Sequence, residues 1–164
     1  MMENNTPIFE KCRHTHEMSI DRGTPNSLVL IRGLPGSGKS TFYRNRFPSF
    51  VHYEADMYHM VHGKYEFSTD KLSEAHRWCR ESAFVSLHNF NNVVVSNTFT
   101  TLFELRPYLD MPFNVWVLKM EGNFDSVHNV PDHAIEKMKN RWESLDDYES
   151  MDGGVVTRPN RTFE

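Results

Sequence analysis

Four short apolar runs, separated by polar stretches, recur along the middle of the chain. The clearest covers residues 28–31, reads Leu-Val-Leu-Ile and is bounded by turn residues. Continuous apolar runs of this length are typical of parallel strands that are buried on both faces. We expect companion strands at three further places, residues 51–54, 93–95 and 115–118.

The stretch between the second and third of these strands has the periodicity of a helix. Its apolar side chains recur at spacings of three and four residues and fall on one helical face. The residues of that face are Leu72, Ala75, Cys79, Ala83, Leu87 and Phe90. Ser68, Thr69 and Asp70 precede them, and each is a residue type that favours the N-cap position.

A second amphipathic helix is predicted after Pro131, because proline suits a first helical turn and apolar residues follow at alternating spacings of three and four. These residues are Ile135, Met138, Trp142 and Leu145. Strands that alternate with helices form βαβ units around a parallel sheet. The pattern therefore predicts an α/β fold of three layers, αβα, with a central parallel sheet and ligand sites at the carboxyl ends of its strands.

Length and composition favour one compact domain. The chain has 164 residues, of which 38% are hydrophobic and 24% are charged, so it can bury a substantial core. The folded domain is predicted to cover residues 27–149. Residues 1–26 are polar and lack any period, and residues 150–164 contain two adjacent glycines and a proline. We expect a flexible N-terminal arm and a flexible C-terminal tail there.

The net charge and the apolar content argue against two classes of partner, duplex nucleic acid and membranes. A net charge of −4 argues against tight binding of duplex nucleic acid, which needs a basic surface, and leaves open a brief encounter with one strand end. No apolar run approaches the roughly 18 residues of a membrane span, and the first 26 residues lack the continuous apolar segment of a secretory signal. We expect a cytoplasmic protein with no membrane partner, in which Cys12 and Cys79 are free thiols.

A phosphate-binding motif follows the first predicted strand directly. Residues 33–40, here called the P-loop, read Gly-Leu-Pro-Gly-Ser-Gly-Lys-Ser and match GxxxxGK[ST] in full, ahead of a helix-compatible stretch at residues 41–47. Glycines let successive backbone N–H groups face phosphate oxygens, and a helix N-terminus adds its positive dipole end. We therefore expect a P-loop NTPase that holds ATP with Gly33, Pro35, Gly36, Ser37, Gly38, Lys39, Ser40 and Thr41.

The last two residues of the P-loop have separate predicted roles. Lys39 brings a mobile positive charge to the β and γ phosphates and is a catalytic candidate. The Ser40 hydroxyl is placed to ligate magnesium, which keeps most of its waters. ATP and Mg²⁺ are therefore the expected cofactors. The alternative, a chance glycine-rich turn, does not explain why a buried strand precedes the motif and a helix follows it.

Further candidates lie where an acceptor or a closing segment would sit. Asp56 follows the second strand, where its carboxylate could take the proton of an attacking hydroxyl or could instead cap a short helix. Asn97 and Thr98 follow the third strand and suit phosphate or substrate contacts, or else form a turn. His128 immediately precedes the last helix, where it belongs to a closing segment or has a structural role.

These pieces, in this order, resemble a family of small P-loop kinase-like ATPases related to phage-type polynucleotide 5′-kinase and to the NEDD4-binding-protein-2-like group. The similarity spans residues 28–148. The residues that carry it are 32–41, 54–58, 65–67, 75–76, 96–101, 128–131 and 141–143. The resemblance implies a kinase-like fold, ATP-dependent phosphoryl transfer, and Asp56 as the general base.

The chain departs from the polynucleotide kinases at two places. Residues 124–126 read Phe-Asp-Ser where the lid of those enzymes carries arginines. Another cation, of which Arg141, Lys137 and Arg44 are candidates, would then have to stabilise the transition state. His59 stands where those kinases have an arginine that meets the substrate phosphate, which weakens the case for a nucleic-acid end as the acceptor.

Two functions are compatible with these residues. The first is an ATP-dependent kinase whose acceptor is a hydroxyl of a nucleic-acid 5′ end, a nucleotide or a small metabolite. The second is an ATP-binding module, or slow ATPase, that regulates a protein partner, which the missing lid arginines would favour. Only the first function needs the proposed base, so replacement of Asp56 distinguishes them.

Overall fold

The computed structural model describes residues 8–11, 26–61, 64–66, 68–122 and 129–145 of the chain. Its strands are β1 (Ile8–Lys11), β2 (Ser27–Arg32), β3 (Val51–Tyr53), β4 (Met60–Val61), β5 (Lys64–Tyr65), β6 (Val93–Asn97) and β7 (Asn114–Lys119). Its α-helices are α1 (Lys39–Arg46), α2 (Leu72–His88), α3 (Leu102–Leu109) and α4 (Asp132–Asn140). Two 3₁₀ helices, Ala55–His59 and Thr69–Lys71, follow β3 and precede α2.

Five strands form the central sheet in the order β1-β7-β2-β6-β3, and β4 and β5 form a separate hairpin. The strands β7, β2, β6 and β3 run parallel to their neighbours, which confirms the predicted parallel sheet. β1 pairs antiparallel with β7 at the sheet edge and places Ile8 opposite Lys119. This strand was not predicted and lies within residues 1–26, so part of the predicted arm extends the sheet. Residues 12–25 and the predicted tail, 150–164, lie outside the described residues.

Both faces of the sheet are buried. Successive strand residues point to opposite faces, so Leu28 and Leu30 of β2 join the core beneath α2 and α3. Val29 and Ile31 join the second core, which Phe47 covers from the α1 side. A strand covered on both sides needs apolar residues at every position, which explains the continuous run at residues 28–31 and confirms the three-layer αβα arrangement.

Both predicted amphipathic helices form, with corrected ends. α2 begins after the 3₁₀ turn Thr69–Lys71, and its N-cap residue, Lys71, makes no side-chain cap hydrogen bond. The predicted cap by Ser68, Thr69 or Asp70 is therefore wrong. α4 follows Pro131 as predicted but ends at Asn140, so Trp142 and Leu145 lie beyond it. No helix in the described ranges has both the length and the apolar character needed to cross a bilayer.

α3 is a helix that the apolar periodicity did not reveal. It is eight residues long and contains Pro107, which removes one backbone donor and disfavours a helix interior. A capping box offsets this at the N-terminus: the Glu104 carboxylate accepts hydrogen bonds from the Thr101 N–H at 3.0 Å and from the Thr100 hydroxyl at 3.1 Å. α3 packs through Leu105, Tyr108 and Leu109.

Candidate functional site

The P-loop connects the end of β2 to the first turn of α1. Three of its positions require glycine, for different structural reasons. Gly33 donates its N–H to the Thr98 carbonyl at 3.3 Å, and a Cβ at this position would lie 2.9 Å from the Met120 carbonyl oxygen. Gly36 and Gly38 have φ angles of 77° and 91°, in the left-handed region that glycine adopts without steric cost. These three positions thus require glycine for close approach or for the turn.

The predicted phosphate-binding residues lie together at the start of α1. Gly38 is the N-cap residue, Lys39, Ser40 and Thr41 form the first helical turn, and that turn contains no acidic side chain. Pro35 and Gly36 form the turn that precedes them. A helix N-terminus that follows a left-handed glycine concentrates backbone N–H donors, which is the arrangement that binds phosphate.

Lys39 lies folded against its own loop. Its Nζ donates to the carbonyl oxygens of Gly33 at 2.7 Å and Leu34 at 3.0 Å. Burial lowers the pKa of Lys39 to about 8, while the negative charges of Glu54 and, to a smaller extent, Asp56 oppose that shift. The P-loop lysine therefore shares one electrostatic environment with two carboxylates from the end of β3.

Asp56 is held in place by a neighbouring strand. It is the second residue of the 3₁₀ helix Ala55–His59. The side-chain oxygen of Asn97 accepts the Ala55 N–H at 2.8 Å, and the Asn97 amide nitrogen donates to the Cys79 sulfur at 3.7 Å. Asn97 thus ties the segment that carries Asp56 to β6 and α2. Its predicted contact with substrate stays a prediction, and the structure gives its amide a positioning role.

The outer side of this 3₁₀ helix packs on α2. The Tyr58 hydroxyl donates to the Glu74 carboxylate at 3.0 Å, and the Tyr58 ring lies 6.0 Å from that of Trp78. His59 is buried, with 2% of its surface exposed. These contacts hold the 3₁₀ helix that carries Asp56 against α2.

Glu54 is a second carboxylate of the site, and it was not among the predicted site residues. Its Oε2 accepts a 3.4 Å hydrogen bond from the Ser96 hydroxyl, which also lies 2.6 Å from His52 Nε2. Burial and then the positive charge of Arg44 lower the pKa of His52 to about 4. The position of Glu54 at the carboxyl end of β3, two residues before Asp56, is the signal that would have identified it.

The segment after α4 docks beside the P-loop through Arg32, the last residue of β2. The fully buried Arg32 guanidinium donates to the Phe99 carbonyl from Nε at 3.1 Å and from Nη2 at 2.7 Å. Nη2 also donates to the Glu143 carbonyl at 2.8 Å, and the guanidinium carbon lies 4.1 Å from the centroid of the Trp142 ring. Arg32 therefore joins the loop after β6 to the segment after α4.

The cations predicted to serve the transition state lie on different elements. Arg141 follows α4, is exposed, and donates from Nε to the Thr100 hydroxyl at 3.0 Å. Lys137 on α4 and Arg44 on α1 are also exposed. Thr98 meets the P-loop through its backbone carbonyl. His128 and residues 124–126 lie outside the described residues, so their predicted lid role stays a prediction.

The donor set at this edge suits magnesium. Serine hydroxyl and carboxylate oxygens are hard ligands, and a nucleotide-bound Mg²⁺ takes only one or two carboxylates and completes its shell with phosphates and water. Ser40, Glu54 and Asp56 supply such oxygens. Among the described residues, no three His, Cys, Asp or Glu side chains form a cage that would hold a metal ion by themselves.

Comparison with known proteins gives several relatives by sequence. No protein-family model matches the chain. It is 37% identical, over 133 residues, to human NEDD4-binding protein 2, and the alignment covers 71% of this chain and 8% of that protein. The chain therefore spans a small fraction of its relative's length.

Comparison with solved structures supports the fold. A chain of the Pnkp1/Rnl/Hen1 complex is similar with a TM-score of 0.52 and 21% identity over 73% of this chain and 40% of that one. A second structure, of the Pnkp1/Rnl/Hen1 RNA repair complex, gives a TM-score of 0.51 and 20% identity over 84% of this chain and 42% of the other. The protein thus has an α/β fold of the P-loop kinase-like αβα type.

Proposed function

We propose that the protein binds Mg-ATP on residues 33–41 and transfers the γ-phosphoryl group to the hydroxyl of an acceptor. The observation that carries this proposal is that the P-loop forms at the end of β2, and that the charges of Glu54 and Asp56, after β3, raise the pKa of its lysine, Lys39. Phosphoryl transfer needs a cation at the phosphates beside a group that takes the acceptor's proton. Lys39 follows the end of β2 and Asp56 follows the end of β3, and these positions support the two proposed roles.

In the proposed reaction, Lys39 exchanges its contacts with the Gly33 and Leu34 carbonyls for oxygens of the β and γ phosphates. Ser40 contributes its hydroxyl to the magnesium ion, which neutralises phosphate charge. The acceptor oxygen forms a bond to the γ phosphorus, the bond from that phosphorus to the β–γ bridging oxygen breaks, and ADP leaves. Asp56 receives the proton of the acceptor hydroxyl. Arg141, Lys137 and Arg44 are the cations proposed for the transition-state charge.

The acceptor is proposed from resemblance and from chemistry. The polynucleotide-kinase-like motifs and the fold shared with a chain of an RNA repair complex support a nucleic-acid 5′-hydroxyl end. The net charge of −4 favours a strand end, a nucleotide or a small metabolite over a long duplex, because duplex binding needs a basic surface. Any such acceptor presents a hydroxyl to Asp56.

Transfer from γ-labelled Mg-ATP to a panel of acceptors tests this proposal. The panel contains RNA and DNA oligonucleotides with 5′-hydroxyl ends, nucleosides, nucleotides and small polyols, and Lys39→Ala provides the blank. Labelling of one acceptor class with the wild-type chain alone would establish the kinase and name its substrate class. Tight ATP binding without a labelled acceptor would favour the alternative, a module whose nucleotide state regulates a protein partner.

ATP affinity should fall as the pH rises above about 8, because the pKa of Lys39 in the nucleotide-free protein is about 8. Phosphates bind the charged amine and raise its pKa on binding, so ATP binding takes up a proton in this range. Below pH 8 the amine is already charged and affinity changes little. Above pH 8 the affinity should fall by up to about tenfold for each pH unit.

Equilibrium binding of a fluorescent ATP analogue between about pH 7 and about pH 9.5 measures this effect. Lys39→Arg is the matched control, since guanidinium keeps its charge throughout this range. A wild-type affinity that changes no more with pH than that of Lys39→Arg would show that Lys39 does not set the dependence.

A further inference from the structure

The strands next to β2 lack the acidic residue that P-loop proteins usually place beside their magnesium. In those proteins the ion is held by the P-loop serine or threonine and by an aspartate of the Walker-B strand. β6 pairs in parallel with β2, sets Ser96 opposite Ile31, and reads Val-Val-Val-Ser-Asn. β7, on the other side of β2, reads Asn-Val-Trp-Val-Leu-Lys. Neither sequence contains a carboxylate.

A carboxylate reaches the end of β6 from the next strand. β3 pairs in parallel with β6 and sets Tyr53 opposite Val95, so Glu54 stands level with Ser96. The Ser96 hydroxyl donates to Glu54 Oε2 at 3.4 Å. The charges of two carboxylates raise the pKa of Lys39, the lysine that precedes Ser40, and Glu54 has the larger effect of the two.

We propose that Glu54 supplies, from β3, the carboxylate that binds the magnesium of bound ATP or its waters together with Ser40, and that Ser96 and His52 hold this carboxylate in position. The inference rests on the proposed Mg-ATP site and adds to it a residue outside the P-loop motif. Glutamate has one methylene more than aspartate, which suits a carboxylate that starts one strand further from the P-loop.

The hydrogen bonds around Ser96 have a consistent direction. His52 Nδ1 is buried and has no hydrogen-bond partner among the described residues. An unsatisfied acceptor nitrogen is tolerated better than an unsatisfied buried N–H, so the proton belongs on Nε2. His52 then donates to the Ser96 oxygen at 2.6 Å, and the Ser96 hydrogen is left to point at Glu54. The His52 ring is itself fixed by stacking on Tyr43, with centroids 3.7 Å apart.

The test is the magnesium dependence of ATP binding, which needs no acceptor and no turnover. ATP affinity is measured across a magnesium titration and in EDTA, and Mn²⁺ bound in the presence of ATP is counted by electron paramagnetic resonance. Glu54→Gln should raise the half-saturating metal concentration by about 10–100-fold, and Ser96→Ala by a smaller factor within the same range. ATP bound in EDTA should be as tight as in the wild-type chain or tighter.

Two control variants define the outcomes. Glu81→Gln removes the same charge from an exposed position on α2 and should leave the metal dependence unchanged. Asp56→Asn removes the other carboxylate near Lys39, and an equal shift in Asp56→Asn and Glu54→Gln would overturn the specific assignment to Glu54. An unchanged half-saturating concentration in Glu54→Gln would overturn it as well. Failure of the wild-type chain to bind ATP would instead overturn the proposed function.

Discussion

Asp56→Asn should lower the rate of phosphoryl transfer by about 10²–10⁴-fold, the contribution typical of a general base. Asparagine has nearly the same shape and cannot accept the proton. ATP affinity should stay within about threefold of the wild-type value, because in the proposed complex the phosphates bind to the P-loop and not to this side chain. The Asn97 contact to the Ala55 N–H does not involve the Asp56 side chain, so the 3₁₀ helix should keep its position.

Single-turnover transfer from labelled ATP to the acceptor identified in the panel measures the rate, and equilibrium binding measures the affinity. Asp70→Asn makes the same chemical change at an exposed site in the 3₁₀ helix Thr69–Lys71 and should transfer at the wild-type rate. If Asp56→Asn also transfers within tenfold of the wild-type rate, Asp56 is not the base, and Glu54 becomes the carboxylate to replace next.

The central sheet could be predicted because its sequence signal is local and its physical cause is simple. β2 is buried on both faces, so every one of Leu28, Val29, Leu30 and Ile31 must be apolar. The P-loop could be predicted for a similar reason, since left-handed glycines and a strand-to-helix junction constrain consecutive residues. An element can be predicted from the sequence when the residues of one short segment determine its structure by themselves.

Elements that depend on distant partners could not be predicted in this way. β1 is four residues long, and its pairing with β7 supplies the backbone partners that define it as a strand. α4 ends before its apolar period does, because Trp142 leaves the helix to stack on Arg32 and Glu143 donates its N–H to the Thr100 carbonyl. The apolar residues of this segment therefore belong partly to the helix and partly to the docked segment that follows it.

α3 was missed although its sequence contains a start signal. Thr101 and Glu104 have the spacing of a capping box, and Pro107 six residues after Thr101 argues against a helix interior. The structure shows that the capping hydrogen bonds and the burial of Leu105 outweigh the loss of one donor. The capping box therefore indicates this helix in spite of the single proline.

The candidate site also contains residues with a local sequence signal and residues whose contacts depend on distant parts of the chain. Lys39 and Ser40 follow from the motif, and Asp56 follows from the end of β3 and from the family resemblance. Glu54 was missed although it follows β3 directly, because its hydrogen bond with Ser96 depends on the register between β3 and β6. Asn97 is the last residue of β6, and its bonds to the Ala55 N–H and to Cys79 depend on packing between three elements.

Arg32→Met should lower the free energy of unfolding by on the order of 3 kcal/mol. The variant keeps the length of the side chain and removes the donors that serve the Phe99 and Glu143 carbonyls, leaving polar groups without partners. It also removes the stacking on Trp142, a contact of this kind being worth about 0.5–2 kcal/mol. The midpoint of thermal unfolding should fall by roughly 6–12 °C.

Arg32→Lys separates charge from geometry, because a single ammonium has neither the planar face that stacks on Trp142 nor the fork that serves two carbonyls. Its unfolding free energy should fall between those of the wild-type chain and Arg32→Met in urea titrations. Arg46→Met, at the exposed end of α1, should change it by less than about 0.5 kcal/mol. If Arg32→Met and Arg46→Met have the same free energy of unfolding, the docked segment after α4 is held by its other contacts. Gly33, the first residue of the P-loop, follows Arg32 directly. Loss of the Arg32 hydrogen bonds to the Phe99 and Glu143 carbonyls in Arg32→Lys should therefore also reduce ATP affinity, while Arg46→Met keeps the wild-type affinity.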